Sequence, residues 1–261
     1  MESKPQNQAP TVPNETAEAL RQAILSSDIN KISQLLIAGV SPNGTNAMRP
    51  LQTAIVAARP MAVALLLEEG ADLLLADREG NISLFAAVEN ALSERAGSGN
   101  MSIFWDIAER MTPRLANARD SRGRTPLMAI AQAKCLNLAR AVLSHTDLSL
   151  TDSAGLTAFD LFFDKDMDQA TLSPPRKKIK LLREEWAVID KLAGCASERA
   201  MRFAADPALG YAPELAPRLA ARLEAIALRE AVEKTTAAAQ GPGAGEGAAS
   251  DRLGAKSQVR L

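Results

Sequence analysis

Aromatic side chains are scarce in this 261-residue chain, at 3% of positions: six phenylalanines, two tryptophans and one tyrosine. Sandwich and barrel cores lean on aromatic and β-branched residues, so the shortage argues against an all-β architecture. Histidine is rarer still, His145 being the only one, and the two cysteines, Cys135 and Cys195, stand far apart. That supply builds no Cys/His zinc cluster, and no G-x-S-x-G elbow supplies a hydrolytic nucleophile. The cysteines read as small buried hydrophobes in a reducing compartment. Long apolar runs are missing too; none approaches the ~18 residues of a membrane span. The first residues, Met1-Glu2-Ser3-Lys4-Pro5-Gln6, open no apolar stretch, so no Sec-type signal is expected and the four N-x-S/T matches read as chance. A strong excess of one charge is absent as well. The net charge of −1 gives no footprint for nucleic acid.

What the chain does have is alanine and leucine. Hydrophobic residues reach 47% with few aromatics, a mix suited to helices packed at close range. Charge is divided unevenly. Residues 15–168 hold 14 Lys/Arg against 19 Asp/Glu, and residues 169–261 hold 15 against 11. Halves of opposite sign suit either mutual packing or different partners.

An internal repeat organises the first two thirds. Arg49-Pro50-Leu51-Gln52-Thr53-Ala54 opens one helical segment, and Leu65-Leu66-Leu67-Glu68-Glu69-Gly70-Ala71-Asp72 closes it. Asp77-Arg78-Glu79-Gly80 follows as a turn, and Asn81-Ile82-Ser83-Leu84-Phe85-Ala86 opens the next unit. Asp120-Ser121-Arg122-Gly123 leads into Arg124-Thr125-Pro126-Leu127, and Asp152-Ser153-Ala154-Gly155 into Leu156-Thr157-Ala158-Phe159-Asp160. The equivalent apolar position falls at Leu20, Leu51, Leu84, Leu127 and Phe159, at intervals of 31, 33, 43 and 32 residues. Residues 93–100 are expected to form a loop that accounts for the long interval. Pro50 and Pro126 suit a first helical position, Thr125 and Thr157 suit its cap, and Gly39 and Gly70 suit a left-handed stop after a leucine-rich helix.

These residues resemble the ankyrin repeat family, whose unit is a D-x-x-G turn, a T-P-L-H-x-A helix start and a leucine-rich second helix ending in G-A-D. The resemblance covers about residues 15–163. It implies an all-α, ankyrin-type helix-turn-helix solenoid of about four to five repeats, capped by C-terminal helices. The family histidine, which braces neighbouring repeats by hydrogen bonding, is absent; Gln52, Phe85, Met128 and Asp160 take its place. A less regular and less stable stack is therefore expected.

Beyond the repeats, Thr171-Leu172-Ser173-Pro174-Pro175 reads as a break. A continuous apolar stripe from Ile179 through Leu182, Trp186, Ile189, Ala193, Ala196 and Ala200 to Phe203 predicts one helix over 179–203, packed on the open end of the stack. On that stripe Trp186 reads as core. A second helix is expected from about Pro217, with Leu219, Leu223 and Ile226 inward and with Arg229/Glu233 and Glu230/Lys234 as charge pairs. The expected organisation is a disordered segment over 1–14, repeats over 15–169, a helical region over 170–236 and a disordered tail over 237–261.

Little here calls for chemistry. His145 sits where the repeat family ends its second helix and reads as a surface cap residue. The glycines around Gly243 have neither the preceding strand nor the following lysine of a phosphate loop. No cofactor, metal or catalytic residue is expected. The cluster Arg176, Lys177, Lys178, Ile179, Lys180 matches the core of a nuclear-import signal, and equally the wet first turn of the following helix.

The resemblance implies a non-enzymatic scaffold that binds a protein partner through turn tips and first-helix faces. On that basis the partner-binding residues are Asn43, Asn46, Gln52, Asp77, Arg78, Glu79, Phe85, Arg119, Arg122 and Met128. A cytoplasmic setting is expected, with neither membrane nor nucleic acid as partner. One alternative is a bacterial effector acting in a host cell, with an import receptor engaging Arg176, Lys177, Lys178 and Lys180 on the way to the nucleus. Another is an enzyme carried by the C-terminal region.

Overall fold

The computed structural model describes residues 14–45, 48–77, 80–93, 97–170, 183–206 and 215–239. Among them the protein is all-α, with two isolated bridges, Thr45 to Met48 and Ala76 to Ile82, as its sole β pairing. The helices are α1 (Asn14–Leu25), α2 (Ile29–Ile37), α3 (Pro50–Val56), α4 (Pro60–Glu68), α5 (Ser83–Leu92), α6 (Ser98–Ala108) and the single turn α7 (Pro113–Ala116). There follow α8 (Pro126–Gln132), α9 (Leu136–Leu143), α10 (Ala158–Ala170), α11 (Arg183–Leu192), α12 (Glu198–Ala205) and α13 (Ala216–Ala239). None is long and apolar enough to cross a membrane.

Local signals set the helix ends. Pro50 and Pro126 occupy the first turns of α3 and α8, and the Thr125 hydroxyl accepts the Met128 N–H. Asp28 caps α2 by accepting the Lys31 N–H. Gly39 and Gly70, at φ of +89° and +83°, sit just past α2 and α4.

The helices pack in two rows. In one row α1 lies on α3, α3 on α5, α5 on α8, α8 on α10 and α10 on α12. In the other, α2 lies on α4, α4 on α6, α6 on α9 and α9 on α11. Leu20, Leu51, Leu84, Leu127 and Phe159 therefore fall on successive members of the first row, all buried. A single apolar cluster runs from Leu20 to Leu219. Of the loop expected over 93–100, residues 94–96 lie outside the described segments, and its last three residues are helical. Ser98, Gly99 and Asn100 begin α6, α5 and α6 are each longer than their counterparts in the pair before, and α7 adds a turn.

The C-terminal helices differ from the expectation in a second way. The stripe over 179–203 is not one helix. Its first residues lie outside the described segments, as does the Trp186 side chain, and α11 ends at Leu192 in a 3₁₀ turn over Ala193–Cys195. Ala196 and Ser197 are extended, and α12 starts afresh with the Ser197 hydroxyl accepting the Ala200 N–H. α11 and α12 pack on the open end of the stack, α11 on α9 and α12 on α10, and so extend both rows. The Arg218 guanidinium pairs with Asp190 at 2.7 Å and Arg222 donates to the Gly194 carbonyl at 3.1 Å, tying α13 to the α11 end. The tail expected from 237 is helical as far as Ala239, in keeping with the alanine run there.

Asp160 explains where the break falls. Its side chain is 1% exposed, yet four donors reach it. The Thr157 N–H and hydroxyl, both at 2.9 Å, satisfy one oxygen; the Ser197 N–H at 3.0 Å and hydroxyl at 2.7 Å satisfy the other. One carboxylate thus caps its own helix and fixes the start of α12 across the row interface. It stands at the position that Gln52, Phe85 and Met128 hold in the preceding units, and there a buried carboxylate joins neighbouring helix pairs.

Asp160→Ala should lower unfolding free energy by roughly 2–4 kcal/mol, because buried donors on Thr157 and Ser197 lose their acceptor. Asp160→Asn should fall between, since its NH₂ would face donors. Denaturant titration measures both, and a loss under about 0.5 kcal/mol for the alanine variant would contradict this role. A second expectation concerns autonomy. Val188, Ile189, Leu192, Ala200 and Met201 are buried, and α11 and α12 rest on α9 and α10. A fragment starting near residue 171 should accordingly show no cooperative thermal transition by circular dichroism.

Candidate protein-binding surface

Three turn tips share one hydrogen-bond scheme. The N–H groups of Asp77, Asp120 and Asp152 donate to the carbonyls of Asn81, Arg124 and Leu156, and those of Gly80, Gly123 and Gly155 donate back to the three aspartates. Each aspartate side chain then accepts the N–H four residues on, at 2.8–2.9 Å. The carboxylate is the template around which the tip folds.

Neighbouring tips are tied together. Asn43 Oδ1 accepts the Asp72 N–H at 2.7 Å, and Asn117 Oδ1 accepts the Asp147 N–H at 2.8 Å. Hydrogen bonds from the Ser149 hydroxyl and N–H hold the Asp147 carboxyl below its usual range. Arg49 bridges the first two tips, donating to the Ala76 carbonyl from Nε and to the Asn43 carbonyl from Nη1, both at 3.1 Å. Arg119 donates to the carbonyls of Gly123 and Thr151. Ser153 donates to the Arg122 carbonyl from both its N–H and its hydroxyl.

The structure sorts the sequence-predicted contact residues by accessibility. Phe85 and Met128, expected at the contact surface, are instead 3% and 2% exposed: both side chains belong to the core, since the position after the repeat leucine turns inward on α5 and α8. Asn43, Gln52 and Asp77 are half-buried, and each makes side-chain hydrogen bonds within the chain. The Gln52 Nε2 donates to Asp77 Oδ2 at 2.8 Å. Arg119 and Arg122 are exposed. Asn46, Arg78 and Glu79 lie outside the described residues, as do Arg176, Lys177, Lys178 and Lys180.

Charge at the third tip is set by an internal pair. Arg124 and Asp120, 16% and 7% exposed, meet at 2.8 Å, and Arg124 also donates to Gln132 Oε1 at 2.7 Å. Asp120 is spent, which leaves Arg119 and Arg122 as the outward charges. On α3 and α5 the exposed positions are Val56, 66% exposed, and its counterpart Glu89. Counting one helical step on from Thr53 and Ala86 identifies both, a signal the repeat motif by itself does not carry.

Elsewhere, His145 is half-buried beyond α9; its Nδ1 lies 3.0 Å from the Ser144 hydroxyl and its carbonyl accepts from Asn117. Burial, with a smaller contribution from Glu185, raises the Cys135 thiol above its ordinary value, so it stays protonated at neutral pH.

Gly123 tests the coupling of tips. Its φ is +74°, and a Cβ there would meet the Ser153 hydroxyl oxygen at 2.9 Å and nitrogen at 3.0 Å. Gly123→Ala should destabilise the protein by about 1–3 kcal/mol and raise amide exchange at Ser153 and Ala154. Unchanged exchange at those amides would show that the tips act independently.

No family model matches the chain, and no curated protein matches it either.

Proposed function

We propose that this protein is a non-enzymatic scaffold of ankyrin type, which binds a protein partner along the edge formed by its turn tips and the exposed ends of its first helices. Supporting the reading are the repeated aspartate-templated tips, the two rows of packed helices and the recurrence of both at intervals of 31 to 43 residues. The observation that carries it is the third tip. Arg119 and Arg122 are exposed on a loop held by Asp120, Arg124 and Ser153, with the Arg119 guanidinium itself bonded to the Gly123 and Thr151 carbonyls, so two cations stand on a rigid support. Preorganised charge loses little entropy on binding and steers a complementary partner.

The partner chemistry that fits is an acidic segment at the third tip, with an apolar or basic group reaching Val56 and Glu89 along the first-helix faces. Arg122 is the cleaner probe of the two arginines, because the bonds holding its loop come from its backbone and not its guanidinium.

Affinity capture with the intact chain should therefore recover proteins that Arg122→Glu fails to recover, with a loss of roughly 10-fold or more in enrichment for a buried charge contact. Identical recoveries would dismiss this edge as the binding surface. Circular dichroism of the variant should match that of the parent.

A further inference from the structure

The last helix is longer than the stack needs. α13 has 24 residues, about 36 Å at 1.5 Å per residue, whereas α12, on which it packs, has eight. Leu219 is fully buried and Leu223 and Ile226 are partly buried against the core; every described side chain from Ala227 to Thr236 is exposed. Roughly half of the helix extends past its support.

A second stripe, apolar but for Thr235, runs along the exposed side of α13 into that overhang. Ala221, Ala225, Leu228, Val232 and Thr235 follow one another at steps of four, three, four and three. All are exposed, with Leu228 at 67% and Val232 at 54%. At about 100° per residue this stripe faces away from Leu219, Leu223 and Ile226, on the opposite side of the helix. A partner helix laid on it would not meet the stack.

We propose that α13 is a self-association helix, through which two copies of the chain pair in parallel along the seam Ala221, Ala225, Leu228, Val232 and Thr235. The spacing makes Ala225 and Val232 heptad a residues and Ala221, Leu228 and Thr235 d residues. A β-branched residue at a with leucine at d favours two parallel strands. Glu224 then falls at g and Arg229 at the following e. In a parallel pair those two positions face each other across the seam, so the two-fold axis creates two Glu224–Arg229 contacts between copies. An antiparallel pair would set e against e and g against g, placing like charges together. The seam is two heptads long and rich in alanine, which suits reversible pairing with a Kd in the ~1–100 µM range.

Sedimentation equilibrium of the full chain from about 1 to 200 µM tests this directly. The mass should rise from 27.7 kDa toward twice that value. Arg229→Glu should raise Kd at least ~10-fold, and adding Glu224→Arg should restore it to within ~3-fold, because the double exchange rebuilds the pair with its signs reversed. Leu228→Glu should remain at the monomer mass throughout while keeping the parent's thermal transition, since that side chain touches no core. A parent protein that stays at 27.7 kDa at every concentration overturns the proposal. So does a dimer that persists in Leu228→Glu, or one whose Kd ignores the charge exchange.

Discussion

Helices of seven to thirteen residues cannot enclose an apolar interior in pairs. Nearly every pair here depends on the pair beside it. Leu51, Leu84 and Leu127 are sealed because α3, α5 and α8 lie in register along one row, and Ile32, Leu66 and Val142 because their helices lie along the other. Stability is then a sum of contacts between neighbours, and an end must either expose its apolar face or be given another helix pair. α11 to α13 supply that continuation.

Polar groups at the row interfaces make the stacking specific. Apolar faces by themselves allow neighbours to slide, whereas a buried acceptor accepts one alignment. Asp160 does this between α10 and α12. Arg59 donating to the Leu25 carbonyl and Asn90 donating to the Ile55 carbonyl do it earlier, each from a residue 34 or 35 positions on. Lys134 over the Phe162 ring, at 5.5 Å, adds a cation–π contact between α8–α9 and α10. Directional bonds at the row interfaces are thus spread over several residue types.

The same economy shapes the surface. Each tip aspartate is consumed in holding its loop, and Asp120 also neutralises Arg124, so the outward electrostatics are those of the side chains left over. Counting charges along a tip sequence overstates its acidity for this reason. The third tip, with three arginines and one aspartate over 119–124, presents two cations on a fixed frame.

Helix starts and stops, the repeat interval, the inward leucines and the tight turns were all legible in the chain, because proline, threonine caps and glycine act through bonds a few residues away. The second exposed stripe of α13 is likewise written in its spacing. Tertiary structure decided the rest. Phe85 and Met128 occupy formally outer positions yet are buried, and the break at Ser197 depends on Asp160, 37 residues earlier in the chain. No periodicity in a local window encodes a hydrogen bond between distant residues or a neighbour that covers a side chain; both exist only once the rows have formed.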